Sequence, residues 1–176
     1  MYSIVQLIVD TIATILGGVL LLRFWMQAIR VRPPPQIGQF IFTLTDWMVL
    51  PMRRIIPGVG GYDWASLVGA FVVVALATSV ILFFGASFEM VAMMSLYTFL
   101  TWILYGFMGT LLVEVILSWV NPQAPMAPFV QALNEPLLRP LRKVVPPIGG
   151  IDLSVMVALI LIKIVHLLVQ MMFGLR

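Results

Sequence analysis

Four long apolar stretches, Ile4–Phe24, Ala65–Phe84, Val91–Trp119 and Leu153–Phe173, alternate with shorter polar connections along the chain. Each reaches the roughly 20 residues that carry a helix across about 30 Å of hydrocarbon. The second stretch has no charge at all. The third exceeds the bilayer core at about 1.5 Å per residue, so it is expected to tilt or protrude rather than bend at Gly106 or Gly109.

The connections carry a second pattern. Ile37, Phe40, Ile41, Leu44 and Met48 are spaced i, i+3, i+4, i+7 and i+11, and Met126, Phe129, Val130, Leu133 and Leu137 reproduce that spacing 89 residues later. Such a stripe predicts a helix with one apolar face. Beside a membrane span, that face is expected to lie in the acyl boundary. The same offset brings PMRRIIPGVGGYD (Pro51–Asp63) over PLRKVVPPIGGID (Pro140–Asp152), and Val31 and Pro33 over Val120 and Pro122. The predicted fold class is therefore an all-α integral membrane protein. Its four transmembrane helices form two tandem span–interfacial helix–basic Pro-Gly turn–span units, residues 1–88 and 89–176. Each unit crosses twice, so the copies share one orientation, related by a pseudo-two-fold axis along the membrane normal.

Composition supports lipid as the main solvent: 62% of the 176 residues are hydrophobic, 10% are charged, and the mean hydropathy is +1.11. The absence of cysteine excludes disulfides, thiolate metal sites and cysteine nucleophiles. The net charge of +3 matters mainly through its placement. Arg23, Arg30, Arg32, Arg53 and Arg54 border or occupy the first long loop, and Arg139, Arg142 and Lys143 the second. The turn between spans two and three holds Glu89 and no basic residue. The positive-inside rule then puts both long loops in the cytoplasm and both termini outside. Nothing basic precedes Asp10, so the first stretch is not read as a cleavable signal.

The strings ILSWVNP (Ile116–Pro122) and EPLLRPLRKVVPPIGGIDLS (Glu135–Ser154) resemble the YggT (YlmG) family of small bacterial and plastid membrane proteins. The resemblance covers both copies. The first copy departs in having Trp47 and Val49 where the second has Pro136 and Leu138. It implies a multi-pass protein of the bacterial inner (plasma) membrane. It also implies a role of the kind linked in that family to cell division, nucleoid or envelope organisation, osmotic-stress tolerance or, in plastids, assembly of a haem-bearing cytochrome complex. No enzymatic reaction is implied.

The paired loops are the first candidate site. Pro51, Pro57, Pro140 and Pro146 are expected to interrupt helix, and Gly60, Gly61, Gly149 and Gly150 to permit a tight turn. Asp63 and Asp152, just before a span, are expected to cap its amino terminus. Arg53, Arg54, Arg142 and Lys143 are candidates for anionic lipid headgroups, each contributing about 1 kcal/mol near the surface, or for an acidic partner. Nucleic acid is disfavoured, since no aromatic-interleaved basic module is present.

Ionisable residues within the spans form the second candidate set. Asp10 lies about 21 Å from the loop end of its span, His166 about 20 Å, Lys163 about 15 Å and Glu114 about 7 Å. Asp10 could therefore meet Lys163 or His166, which are three apart and share a face, while Glu114 lies near the reach of Arg23. One histidine makes no histidine-rich metal site, and bis-histidine haem ligation would need a second chain. Ser118 and Ser154 lack an evident base. The GG pairs lack a Walker lysine, and twelve scattered methionines read as apolar gap-filling. No cofactor or metal is expected. The bilayer and anionic lipids are expected partners, together with a protein partner or further copies of the chain. Two functions follow: a non-enzymatic membrane scaffold or assembly factor presenting twinned basic loops, or an oligomeric ion transporter or channel using Asp10, Lys163 and His166.

Overall fold

The computed structural model describes residues 2–145 and 152–174. It is all-helical, with six α-helices and one 3-10 segment. The order is α1 (Tyr2–Ala28), α2 (Pro35–Ile55), α3 (Trp64–Ser79) continued by the 3-10 turn Val80–Phe84, α4 (Phe88–Val120), α5 (Ala127–Arg142) and α6 (Leu153–Met172). Four segments are long and apolar enough to cross a membrane: Ile4–Ala28, Trp64–Phe83, Phe88–Val120 and Leu153–Met172. The third is one uninterrupted helix of 33 residues through Gly106 and Gly109. At about 1.5 Å per residue it is roughly 50 Å long.

The two amphipathic helices lie at the end of the bundle where the long loops are, called here the loop end. Pro35 and Pro128 sit in their first turns, where a missing N–H removes no helical bond. Their apolar stripes pack against the spans rather than facing lipid. Ile41 of α2 and Phe129, Val130 and Leu133 of α5 are buried together with Met26 of α1. Ile37 and Met126 pack against the same cluster, and Met48 against its neighbour. Of the first stripe only Phe40 points out. The expectation of an acyl-facing stripe is thus corrected: apolar side chains of the spans, those of α1 in the case of the α5 stripe, cover it first.

Three clusters make up the core. Leu20, Val49, Ala70 and Val73 join α1, α2 and α3, and Leu111, Leu138, Val155 and Ile162 join α4, α5 and α6. Val49 and Leu138, where the two copies differ in residue type, are both fully buried. The third cluster, around Met26, Ile41 and Phe129, crosses between the halves. There Trp25 donates its indole N–H to the Leu133 carbonyl at 2.9 Å and meets Phe107 edge-on at 4.9 Å. Close approach of α1 and α4 depends on Gly17, because a Cβ there would lie 2.1 Å from the Trp102 ring.

Two backbone expectations need revision. Pro51 and Pro140 do not interrupt their helices; α2 runs through Pro51 to Ile55, and α5 through Pro136 and Pro140 to Arg142. Each loses one helical hydrogen bond, yet Val49 and Leu138, fully buried just upstream, hold the axis against the spans. Helix α2 ends before Pro57. Gly60 and Gly61 take φ of +70° and +84° and close a turn in which Val59 bridges Tyr62, as the glycine pair predicts. Pro146, Gly149 and Gly150 lie outside the described residues.

Candidate functional site

The loop end holds two ion clusters built on equivalent positions. In the first, Arg53 near the end of α2 points back to Asp63, ahead of α3. Its Nε and Nη2 donate to the two carboxylate oxygens at 3.1 and 2.7 Å. Asp63 is 4% exposed and also accepts from the Ser66 hydroxyl. Burial opposes its ionisation, but hydrogen bonds from Arg53 and Ser66, with the Arg53 and Arg23 charges, outweigh that and hold the carboxyl below its ordinary range. The bond to Asp63 correspondingly raises Arg53. Arg23, buried on α1, lies 3.6 Å from Asp63 and donates to Thr45 at 2.6 Å and Asp46 at 2.7 Å. Its guanidinium also covers the Phe42 ring at 5.0 Å.

In the second cluster Arg142 takes the place of Arg53. It donates to Asp152 at 2.8 Å, to Glu135 at 2.9 Å and to Glu114 at 3.2 Å. Burial works against the Arg142 charge, but the bonds and charges of Asp152 and Glu114 prevail and raise its pKa. Burial likewise opposes ionisation of Asp152, but Arg142 and Ser154 lower its carboxyl on balance. Asn134 secures the other side of Glu114 at 2.7 Å and exchanges hydrogen bonds with Thr110. A hollow of ≈ 460 Å³ opens beside the cluster, lined by Glu114, Gln131, Glu135 and Arg142 among others.

The clusters differ in charge. Arg23 and Arg53 balance Asp46 and Asp63, whereas Arg142 alone faces Glu114, Glu135 and Asp152. Their common chemistry is that of a clamp, tying each amphipathic helix to the start of the following span. It accounts for Arg53 and Arg142 in the paired sequence motif. Arg54 and Lys143 are exposed and, among the described residues, without an ionic partner, as are Arg30, Arg32 and Arg139. The basic set expected to face a partner is thus divided: Arg53 and Arg142 are engaged by carboxylates, Arg142 while still exposed, and Arg54 and Lys143 are not.

The capping expectation holds for Asp152, which accepts from the Ser154 N–H at 2.9 Å. Asp63 occupies the N-cap position without a capping bond from its side chain. Both its oxygens are engaged by Arg53, and one also by Ser66. Sequence reasoning missed the roles of Thr45, Asp46, Asn134 and Glu135. A signal was present: Asp46 and Glu135 are acidic, and Thr45 and Asn134 polar, at the same 89-residue offset as the loop motif.

The intramembrane set does not assemble as expected. Glu114 meets Arg142 and Asn134 rather than Arg23. Asp10 on α1 is exposed and has no ionic partner among the described residues, and the same is true of Lys163 on α6. His166 is buried, 5.1 Å from the Tyr105 ring, with no hydrogen-bond partner at Nε2 among the described residues. Lys163 and His166 stand about 60° apart around the helix, and the boundary between inward and lipid-facing sides falls between them. The principal contacts of α1 are with α2, α3 and α4, and those of α6 with α4 and α5, so Asp10 is not brought to Lys163.

Four apolar helices capped at one end by amphipathic helices define a multi-pass α-helical membrane protein. The chain belongs to the CCB3/YggT family, whose model matches residues 1–84 and 93–173. It is 36% identical over 169 residues to an uncharacterized protein of Pseudomonas aeruginosa, covering 92% of this chain and 86% of that one. It is 32% identical over 162 residues to the uncharacterized protein YggT of Escherichia coli K12, covering 91% and 86%. Similarity to an uncharacterized protein of Vibrio alginolyticus, encoded in the proC 3′ region, is 32% over 176 residues, 95% of this chain and 94% of that one. No solved structure matches the chain.

Proposed function

We propose that the protein is a non-enzymatic scaffold or assembly factor of the bacterial inner membrane, with its loop end in the cytoplasm and its termini outside. The carrying observation is the division of the basic pairs. Arg53 and Arg142 are taken up in ion pairs with Asp63 and Asp152, while Arg54 and Lys143, with Arg30, Arg32 and Arg139, are exposed at the same end without an ionic partner among the described residues. Exposed cations gathered at one end of the bundle suit anionic lipid headgroups and an acidic segment of a partner protein. The resemblance to proteins linked to cell division, envelope organisation and osmotic-stress tolerance fits a structural role of this kind. The alternative, an ion pathway using Asp10, Lys163 and His166, lacks within one chain the cluster it needs.

The test is crosslinking in membranes followed by affinity capture, comparing wild type with Arg54→Gln/Arg139→Gln/Lys143→Gln. Loss of a specific partner from the variant, with insertion and topology intact, is the expected result. Capture of an unchanged set by the variant would overturn the reading.

A further inference from the structure

The outward face of α1 is unlike that of a helix meant only for lipid. Asp10, Thr14 and Gly18 follow one another at four-residue steps and are all exposed. Asp10, Thr11, Thr14 and Ile15 line a shallow groove of ≈ 300 Å³. A Cβ added at Gly18 would meet nothing within 4 Å. Small and hydroxyl side chains on a membrane helix let a second helix approach closely and offer it hydrogen bonds. A carboxylate in the same row calls for a counter-charge, since a lone ionised group in hydrocarbon is strongly disfavoured.

The complementary charge is on α6, which is not among the principal neighbours of α1. Lys163 projects from the outward face of α6 among exposed Ile160, Ile164 and Leu167. The two charges also match in depth. Arg23 contacts Asp63, and Asp10 is thirteen residues further along α1, about 20 Å from that level. Lys163 is eleven residues beyond Asp152, the counterpart of Asp63, or about 17 Å. The difference of two residues, about 3 Å, is within reach of the flexible lysine stem.

We propose that copies of this chain associate side by side in the membrane, with α1 of one packed antiparallel on α6 of the next and Asp10 paired with Lys163 across the contact. Copies inserted in the same sense hold the two residues within about 3 Å in depth, which the lysine stem spans without a shift along the membrane normal. A symmetric contact of α1 on α1 would oppose two carboxylates, and one of α6 on α6 two ammonium groups. The charges therefore select the heterologous contact, which repeats head to tail from copy to copy. This inference stands on the lipid-facing surfaces alone and does not depend on the scaffold reading.

The absence of native cysteine makes the test direct. Two differently tagged chains, one carrying Thr14→Cys and the other Ile160→Cys, are co-expressed and oxidised in the membrane. The expected product is a disulfide-linked heterodimer. Adding Asp10→Lys to the first chain should reduce its yield at least tenfold, and adding Lys163→Asp to the second should restore it. An independent variant, Gly18→Leu, whose Cβ meets nothing within 4 Å in one chain, should block the crosslink while thermal stability in detergent is unchanged. A crosslink indifferent to Asp10→Lys overturns the proposal. So does the lack of any crosslink between correctly inserted chains, or failure of the reversed charges to restore it.

Discussion

Arg53 grips both carboxylate oxygens of Asp63, ten residues further along, at 3.1 and 2.7 Å. Arg142 and Asp152, also ten apart, repeat the pairing at 2.8 Å. The surroundings differ: the Asp63 side chain is 4% exposed and the Asp152 side chain 39%. One sequence motif therefore yields a buried clamp in the first half and a half-open one in the second.

That difference predicts unequal effects of equal mutations. Asp63→Ala leaves buried Arg23 and half-buried Arg53 short of a counter-charge and is expected to destabilise by about 3 kcal/mol, as removal of one partner of a buried pair does. Asp152→Ala should cost about 1 kcal/mol or less, since solvent screens an exposed pair. Thermal unfolding of the two variants in the same detergent gives the comparison; equal losses would contradict it.

The same clamps set an acid limit. Asp63 and Asp152 have folded pKa values below the ordinary carboxylate value of 3.8. A depressed carboxyl contributes stability that is complete above its unfolded value and is lost as pH falls through the folded one. Stability from this source should therefore be level from neutral pH down to about 5 and fall below about 4. The gap between wild type and Asp63→Asn should narrow over that acid range, which melting curves at stepped pH would reveal.

Asn134 is a joint between helices rather than a surface residue. It is fully buried and bonds to Glu114 and to both the backbone and side chain of Thr110. Asn134→Leu keeps similar volume but strands those buried groups, with an expected loss of about 2–3 kcal/mol. Asn134→Asp would add a carboxylate beside Glu114 and should be worse. Comparative thermal stability of the two variants decides the order.

Adjacent glycines on α1 should respond unequally. Gly17→Ala places a methyl group against the Trp102 ring, which must shift with its neighbours, and is expected to destabilise by about 1–3 kcal/mol. Gly18→Ala meets no neighbour within the chain and should leave monomer stability within about 0.5 kcal/mol of wild type. Unfolding followed by far-ultraviolet circular dichroism would separate them.

Within each basic pair, the two residues should separate stability from surface binding. Arg54→Gln with Lys143→Gln is expected to weaken attachment of peptides or vesicles at the loop end by about 1 kcal/mol per charge removed, without lowering the melting temperature. Arg53→Gln with Arg142→Gln should lower the melting temperature first. Anionic-vesicle flotation of an isolated loop would be uninformative, so the binding measurement uses the full chain in nanodiscs of graded anionic-lipid content.

The sequence alone determined the four spans, the two amphipathic helices, the repeat spacing and the glycine turn. These depend on local properties: runs of apolar residues, a 3.6-residue period, and a backbone angle that glycine adopts without strain. It also held, in the alignment of Asp46 with Glu135, a trace of the clamp partners. Only the tertiary structure decided which cation of each pair is taken by a carboxylate, that Glu114 meets Arg142 rather than Arg23, and that Asp10 and Lys163 are not brought together. Depth along a helix can be counted from residue numbers. The direction a side chain takes around the bundle depends on which helices pack beside it, and that is set by contacts far apart in sequence, such as Gly17 on Trp102 and Trp25 on Leu133.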